Sequence, residues 1–400
     1  MNVADHEKSH SKVAGALSAA DSFVLTNARI VTKHEVFDGS MVVRDGQIAE
    51  ITRGRSSLTG AIDCSGAILM PGMVELHTDN LEKHISPRPG VIWPGIPAVI
   101  THDAQIVASG ITTVFDAISV GDIIAGSTRL KALETMVNAL EAGRQDGMLR
   151  ADHFLHLRCE VSHAGALDMF QALIDQPMLQ LVSVMDHSPG QRQFVNLDKY
   201  REYYMGKHGI SSQEIEAFIR SRKEDSQRYS DKNRRAIVEI CHQRGIALAS
   251  HDDATVAHVE ESVGFEMTIA EFPTTLEAAK ASHEKGLKVM MGAPNVVRGG
   301  SHSGNIAAAT LAQEGVLDIL SSDYYPASML DAAFRLARMA DNGYDLPKAI
   351  ATVSSMPARC AGLNDRGVIE TGKRADLVLV SECGEQPLIE SVWRAGKRVY

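Results

Sequence analysis

The chain contains no apolar run approaching the ~18 residues that a membrane helix needs. Its first 20 residues are polar with scattered charges and lack the apolar centre of a signal peptide. These absences argue against a spanning helix and a secretory leader, and the expectation is a cytoplasmic protein with a frayed extension at 1–21. The five cysteines (Cys64, Cys159, Cys241, Cys360, Cys383) are scattered, with no CxxC pair. That removes a disulfide framework and fits a reducing compartment. An excess of positive charge is also missing: 40 Lys and Arg stand against 50 Asp and Glu, a net charge of −10. General binding to nucleic acid or an anionic membrane is therefore not expected. A local pocket of Arg and Lys can still oppose that field and hold an anionic small molecule. No GxGxxG follows the first apolar strand, so a dinucleotide site is not favoured. Internal repeats and low-complexity tracts are absent too.

What is present is a core. Hydrophobic residues make up 44% of 400 residues, enough for a barrel of ~250 residues plus a second unit. Residues 22–66 are short apolar runs divided by Asn, Asp and Gly turn signals, which read as β-structure. The C-terminal runs at 375–381 and 392–400 resemble them. Both ends are expected to join in one small β-sandwich domain, 22–70 plus 362–400, with 71–361 inserted between. In the middle, apolar β-rich runs fall at 73–77, 111–116, 154–158, 180–185, 246–250, 267–270, 287–291 and 317–320. Helical patterns lie between most of them, as at 128–144, 167–174, 274–285 and 329–340. Repeated β-then-α units predict a parallel sheet with crossover helices. Eight runs predict an α/β chain with a (β/α)8 TIM-like barrel, a doubly wound open sheet being the alternative. One crossover is long and polar, with helical spacing and mixed charge, at about 188–235. It is either a solvated helical excursion or a lid or substrate wall.

The stretch ILMPGMVELHTDNLEKH, 68–84, organises the rest. A Pro-Gly turn at Pro71–Gly72 leads into a short apolar strand ending His77-Thr78-Asp79. Residues i and i+2 of a strand share a side, so His77 and Asp79 present an imidazole and a carboxylate to one point. Barrel enzymes place their chemistry at the C-terminal strand ends. In this chain seven of those ends carry His, Asp or Glu: Asp116, Glu160, Asp186-His187, His251-Asp252-Asp253, Glu271 and Asp323 follow the first pair. Buried charge on that scale needs partners or a metal.

These residues carry a resemblance. LMPGMVELHTDN, a middle-strand carboxylate, two further His, a late Asp and the ending GVIETGKRADLVLV are similar to the amidohydrolase superfamily. The runs HTDNLEKHISPRPGV, VMDHSPGQRQF, ASHDDAT, AEFPTT, GAPNVVRGGSHSGN and ILSSDYYPAS narrow it. They resemble the branch of α-D-ribose 1-methylphosphonate 5-triphosphate diphosphatases in the carbon–phosphorus lyase pathway of phosphonate metabolism, over about residues 22–400. The resemblance implies a metal-dependent hydrolase that releases pyrophosphate from a phosphorylated ribose phosphonate. Two departures from the common superfamily pattern stand out. Asp79 occupies the place of a second His, and no strand-end Lys suits carbamylation, which makes Glu160 the candidate bridging carboxylate. His187 and His251 also fall one strand early, so either the strand count is off by one or the ligands come from shifted strands.

On that resemblance, His77, Asp79, Glu160, His187, His251 and Asp323 are the expected ligands of one or two divalent metals. Imidazole with carboxylate suits zinc, and the oxygen content admits manganese or iron. Asp323 is the expected base for the attacking water. The cationic and polar groups expected to grip the triphosphate are Lys83, Arg88, Arg158, Arg192, Asn295, Arg298 and His302. The last three lie in a Gly-rich loop whose backbone N–H groups, with a helix starting just after, are expected to face phosphate oxygens. Two other functions compete: a C–N hydrolase of the same superfamily, which should lack so many cations, and a non-catalytic scaffold, which should have lost its ligands. Nothing in the sequence reveals a protein interface, and a homo-oligomer is left open.

Overall fold

The computed structural model describes residues 22–124, 127–301 and 304–400. The frayed extension expected at 1–21 lies outside the described residues. The first strands are β1 (Ser22–Val31), β2 (Val36–Arg44), β3 (Gln47–Arg53), β4 (Ile62–Asp63) and β5 (Ile68–Pro71). Eight strands follow in the middle of the chain: β6 (Met73–Thr78), β7 (Ile111–Val120), β8 (Asp152–Glu160), β9 (Leu179–Met185), β10 (Ala247–His251), β11 (Ile269–Glu271), β12 (Lys288–Gly292) and β13 (Ile319–Ser321). The chain closes with β14 (Leu377–Cys383), β15 (Gln386–Arg394) and β16 (Lys397–Arg398).

The two chain ends share one sheet, ordered β16-β15-β14-β5-β1-β2-β3, with β4 beside β1. β14 pairs antiparallel with β5, so the late strand seals onto the early one. Strands β6 to β13 form the second sheet in strict sequential order, all parallel. A Thr78–Asp323 bridge joins its first and last strands and closes the barrel. All eight expected runs are strands of this barrel, in the expected order. The apolar runs are continuous because parallel barrel strands are buried on both faces. Inward residues such as Leu76, Phe115, Leu181 and Ile319 fill the barrel, and outward ones pack against helices.

The helices are α1 (Asn80–Ile85), α2 (Gly95–Ala108), α3 (Thr128–Gln145), α4 (Ala166–Leu173), α5 (Leu197–His208), α6 (Ile215–Arg244), α7 (Val256–Gly264), α8 (Leu276–Glu284), α9 (Ala293–Arg298), α10 (Ala308–Gln313), α11 (Ser328–Arg338), α12 (Leu346–Ala351) and α13 (Ser355–Cys360). Several begin at side-chain caps: Thr255 accepts from the His258 N–H, Thr275 from the Ala278 N–H and Asp345 from the Lys348 N–H. The long polar crossover is α5 and α6, and α6 runs on to Arg244, because no Gly or Pro interrupts it before Gly245. Its inner side has an apolar cluster of its own, with Phe194, Tyr200, Tyr204, Ile215 and Ile219 buried beside Ile123. The terminal sheet is tied to the barrel electrostatically. Arg366, Arg374 and Arg394 converge on Asp152 at the start of β8. No helix among the described residues is long and apolar enough to cross a membrane.

Candidate active site

A cavity of about 710 Å³ opens at the C-terminal ends of the barrel strands. All six expected metal ligands line it: His77 and Asp79 after β6, Glu160 at the end of β8, His187 after β9, His251 ending β10 and Asp323 after β13. They come from the first, third, fourth, fifth and eighth barrel strands. The strand count therefore stands, and these residues sit on shifted strands. Backbone bonds hold the first and last together: the Asp79 N–H donates to the Asp323 carbonyl at 2.9 Å, and the Asp323 N–H to the His77 carbonyl at 3.0 Å. Asp323 and Asp252 adopt left-handed backbone (φ 54° and 58°), as does Phe272 (φ 52°) beside them. Such conformations cost on the order of 1–3 kcal/mol each and persist where the surroundings over-determine them. Here they turn side chains at strand ends into the cavity.

Beneath these residues lies a buried layer that orients two of them. Glu271, at the end of β11, accepts from His77 Nδ1 at 3.1 Å and from His251 Nδ1 at 2.9 Å. One carboxylate thus fixes both rings, which stack at 5.9 Å and 17°. With Nδ1 protonated, each Nε2 keeps its lone pair. His156 adds to the layer, bonded through Nδ1 to the Leu76 carbonyl and through Nε2 to Ser183 Oγ, each at 2.9 Å. Burial pushes His156 down to about 4 and His251 down to about 3, so both stay neutral. Glu271, His156 and Asp252 were not among the expected site residues. The available signal was a lone Glu in an apolar run, Ile269–Phe272, which burial obliges to find partners.

Around His187 the balance reverses. Its Nδ1 donates to Glu160 Oε2 at 2.7 Å, and its Nε2 lies 3.5 Å from Asp252 Oδ2. Burial opposes protonation, but the Asp252 and Glu160 carboxylates outweigh it and push this imidazole up to about 10. Burial, and then the neighbouring Asp79 carboxylate, push Asp323 up to about 7. Fit to a divalent metal rests on this donor set. His187, His251 and Asp252 each bring a ligand atom within 4.8 Å of the others. A cation among these groups favours the ionised Asp323 and the unprotonated His187 Nε2, and so relieves both perturbations. The residues fit the group.

The expected phosphate-binding residues divide. Arg158, Asn295 and Arg298 line the cavity. Arg158 is 9% exposed, and its side chain makes no hydrogen bond or close ion pair with another described residue; its Nε is buried without a partner, and its charge opposes the effect of burial on Asp323. Lys83 sits on α1 at the rim, donating to the Tyr324 carbonyl, with its ammonium 5.2 Å from the Tyr324 ring. Arg88 is exposed on the following loop and is not part of the lining. Arg192 requires correction: it is buried away from the lining, donating to Asp253 and, at 2.6 Å, to Glu261. Those two carboxylates neutralise it. The Gly-rich loop also differs from expectation. A helix, α9, starts before it and contains Asn295 and Arg298. Gly299 (φ 78°) ends that helix, and the Gly299 and Gly300 N–H groups cap its carbonyls at Val296 and Asn295. Those donors are spent on the helix end. The Asn295 side chain pins the loop, accepting from the Ala308 N–H at 3.0 Å. His302 lies outside the described residues.

Comparison with known proteins follows this geometry. Residues 103–400 match the amidohydrolase family model. The chain is 52% identical over 377 residues to the α-D-ribose 1-methylphosphonate 5-triphosphate diphosphatase of Escherichia coli strain K12, covering 94% of this chain and 100% of that one. Its fold is similar to 5-methylcytosine deaminase from Klebsiella pneumoniae (TM-score 0.63, 17% identity, 94% and 98% of the two chains). It is also similar to N-acetyl-D-glucosamine-6-phosphate deacetylase from Mycobacterium smegmatis (TM-score 0.62, 16% identity, 94% and 99%). At such identities these two structures speak for the fold alone.

Proposed function

Since the chain belongs to the amidohydrolase family, we propose that it hydrolyses α-D-ribose 1-methylphosphonate 5-triphosphate to the 5-phosphate and pyrophosphate in phosphonate catabolism. The observation that carries this is Arg158. A nearly buried guanidinium on the wall of this cavity forms no close ion pair with a described carboxylate, although its charge is felt by Asp323 across the cavity. An anionic substrate supplies the partner, and a neutral amide or ring does not. The 52% identity to the diphosphatase points the same way.

His77, Asp79, Glu160, His187, His251 and Asp323, joined by Asp252, are the residues to hold the metal, one ion or two, and zinc fits the imidazole content best. Bound there, a divalent metal draws the pKa of water down towards ~7 and polarises phosphoryl oxygens. Glu271 keeps the His77 and His251 Nε2 atoms aimed at the cavity. Asp323 takes the proton of the attacking water as its oxygen bonds to the α-phosphorus and the bond to the departing pyrophosphate breaks. Arg158 and Arg298 offset the charge of the triphosphate and of the leaving group. The sugar and phosphonate then face Phe194, Tyr203 and Tyr204 on the crossover wall. Five unpaired thiols accord with a cytoplasmic site of action. Pyrophosphate release from this triphosphate by the metal-loaded protein is the test, and its absence overturns the reading.

A further inference from the structure

Two buried donors stand side by side on the cavity wall. In the parallel ladder of β7 and β8, Ser119 is the register partner of Arg158, which puts their backbones about 4.8 Å apart. The alternation of each strand fixes the direction of both side chains. Ile118 and Val120 on β7, and Leu157 and Cys159 on β8, pack outward into the helix layer. Ser119 and Arg158 therefore point inward, and both line the cavity. Glu160, two residues beyond Arg158, shares its face, so the pair adjoins the metal-binding residues. Ser119 is 4% exposed and Arg158 9%. Neither Ser119 Oγ nor Arg158 Nε has a partner among the described residues. Just beyond, Gly121 (φ 86°) follows the strand where a Cβ would meet His163 Cβ at 2.9 Å.

A hydroxyl and a guanidinium, adjacent and buried, with neither Ser119 Oγ nor Arg158 Nε hydrogen-bonded to a described residue, are the donor set of an oxyanion subsite. We propose that Ser119 and Arg158 together hold the phosphoryl group that undergoes attack, which makes Ser119 a catalytic residue of this enzyme. The proposal rests on the function assigned above. It adds the group that touches the reacting phosphorus from the β7 side. Ser119 donates its hydroxyl proton to a phosphoryl oxygen whose charge grows as water adds, and Arg158 offers a planar fork to the same group.

The test compares metal-loaded wild type with Ser119→Ala, Ser119→Thr, Arg158→Lys and the Ser119→Ala/Arg158→Lys double variant. Steady-state turnover of the triphosphate is measured alongside calorimetric binding of ribose 5-phosphate, a probe that carries only the phosphoryl group retained by the sugar. Ser119→Ala should lower kcat about 10- to 100-fold, the range of a charge-assisted hydrogen bond, with metal content unchanged. It should also weaken ribose 5-phosphate at least severalfold. Ser119→Thr, which keeps the hydroxyl, should recover most of both. The double variant should lose less than the product of the single losses, because the two donors share one anion. If Ser119→Ala matches wild type within twofold in kcat and in ribose 5-phosphate affinity, the subsite is overturned while the function stands. If wild type releases no pyrophosphate but Ser119→Ala still binds the sugar phosphate more weakly, the function falls and the subsite survives.

Discussion

Glu271→Gln is the most instructive single change, because it preserves shape and alters one property. Glu271 is fully buried and gives one oxygen to His77 Nδ1 at 3.1 Å and the other to His251 Nδ1 at 2.9 Å. An amide in the same place offers one acceptor and one donor. One imidazole keeps its partner. The other faces an NH2 group, so its Nδ1 must accept and its proton moves to Nε2, the nitrogen turned to the cavity. That ring can no longer ligate. Loss of such an orienting contact typically weakens metal binding 10- to 100-fold, which corresponds to ~1.4–2.7 kcal/mol. Metal-free protein titrated with zinc against a chromophoric chelator reads the affinity. Circular dichroism and the melting temperature report whether the fold is retained. Glu271→Ala should be worse than Glu271→Gln, since it frees both rings. A Glu271→Gln protein that binds zinc within twofold of wild type would refute the orienting role.

Two further outcomes follow from the same geometry. Asp323→Asn keeps size but cannot take the water's proton, so turnover should fall by ~10²–10⁴ with metal retained; a loss under about threefold contradicts the base assignment. The second outcome concerns stability away from the cavity, where His153 lies buried between Asp116 (2.7 Å) and Asp103 (3.3 Å). Burial opposes its charge, but Asp116 and Asp103 push its pKa up from 6.5 to about 9. Against its own burial, Asp116 is held down at about 2 by His153 and His102. A raised histidine stabilises fully below 6.5 and loses that contribution as pH rises through about 9. A depressed carboxyl stabilises above 3.8 and loses it as pH falls through about 2. The melting-temperature deficit of His153→Gln should therefore be largest at about pH 5–6 and shrink towards about pH 9.5. A deficit independent of pH contradicts the ion pairing.

The barrel was legible because parallel strands buried on both faces leave continuous apolar runs, and all eight lay where those runs stood. That His77, Asp79, Glu160, His187, His251 and Asp323 line one cavity was legible because each follows or ends such a run. What escaped the sequence depended on partners far along the chain. Glu271 meets His77 across 194 residues, and no local pattern encodes that meeting. Arg192 looked available for phosphate because Asp253 and Glu261, its partners, come 61 and 69 residues later. Gly299 and Gly300 fit a phosphate loop by composition, yet the helix begins at Ala293 and the glycines stop it. Local glycine content could not say which end of a helix it served. Ser119 carried no signal at all, since its meaning lies in its register with Arg158.

Residues at the barrel mouth are expected to direct hydrolysis to the α-phosphorus. The most direct measurement is a single turnover of the ribose triphosphate in ¹⁸O-labelled water, with products analysed by mass spectrometry and ³¹P NMR. Equal amounts of 5-phosphate and pyrophosphate are expected, with the label in the 5-phosphate and none in pyrophosphate. Label in pyrophosphate places the attack on the β-phosphorus. Orthophosphate as the first product, with a 5-diphosphate left behind, contradicts the account outright.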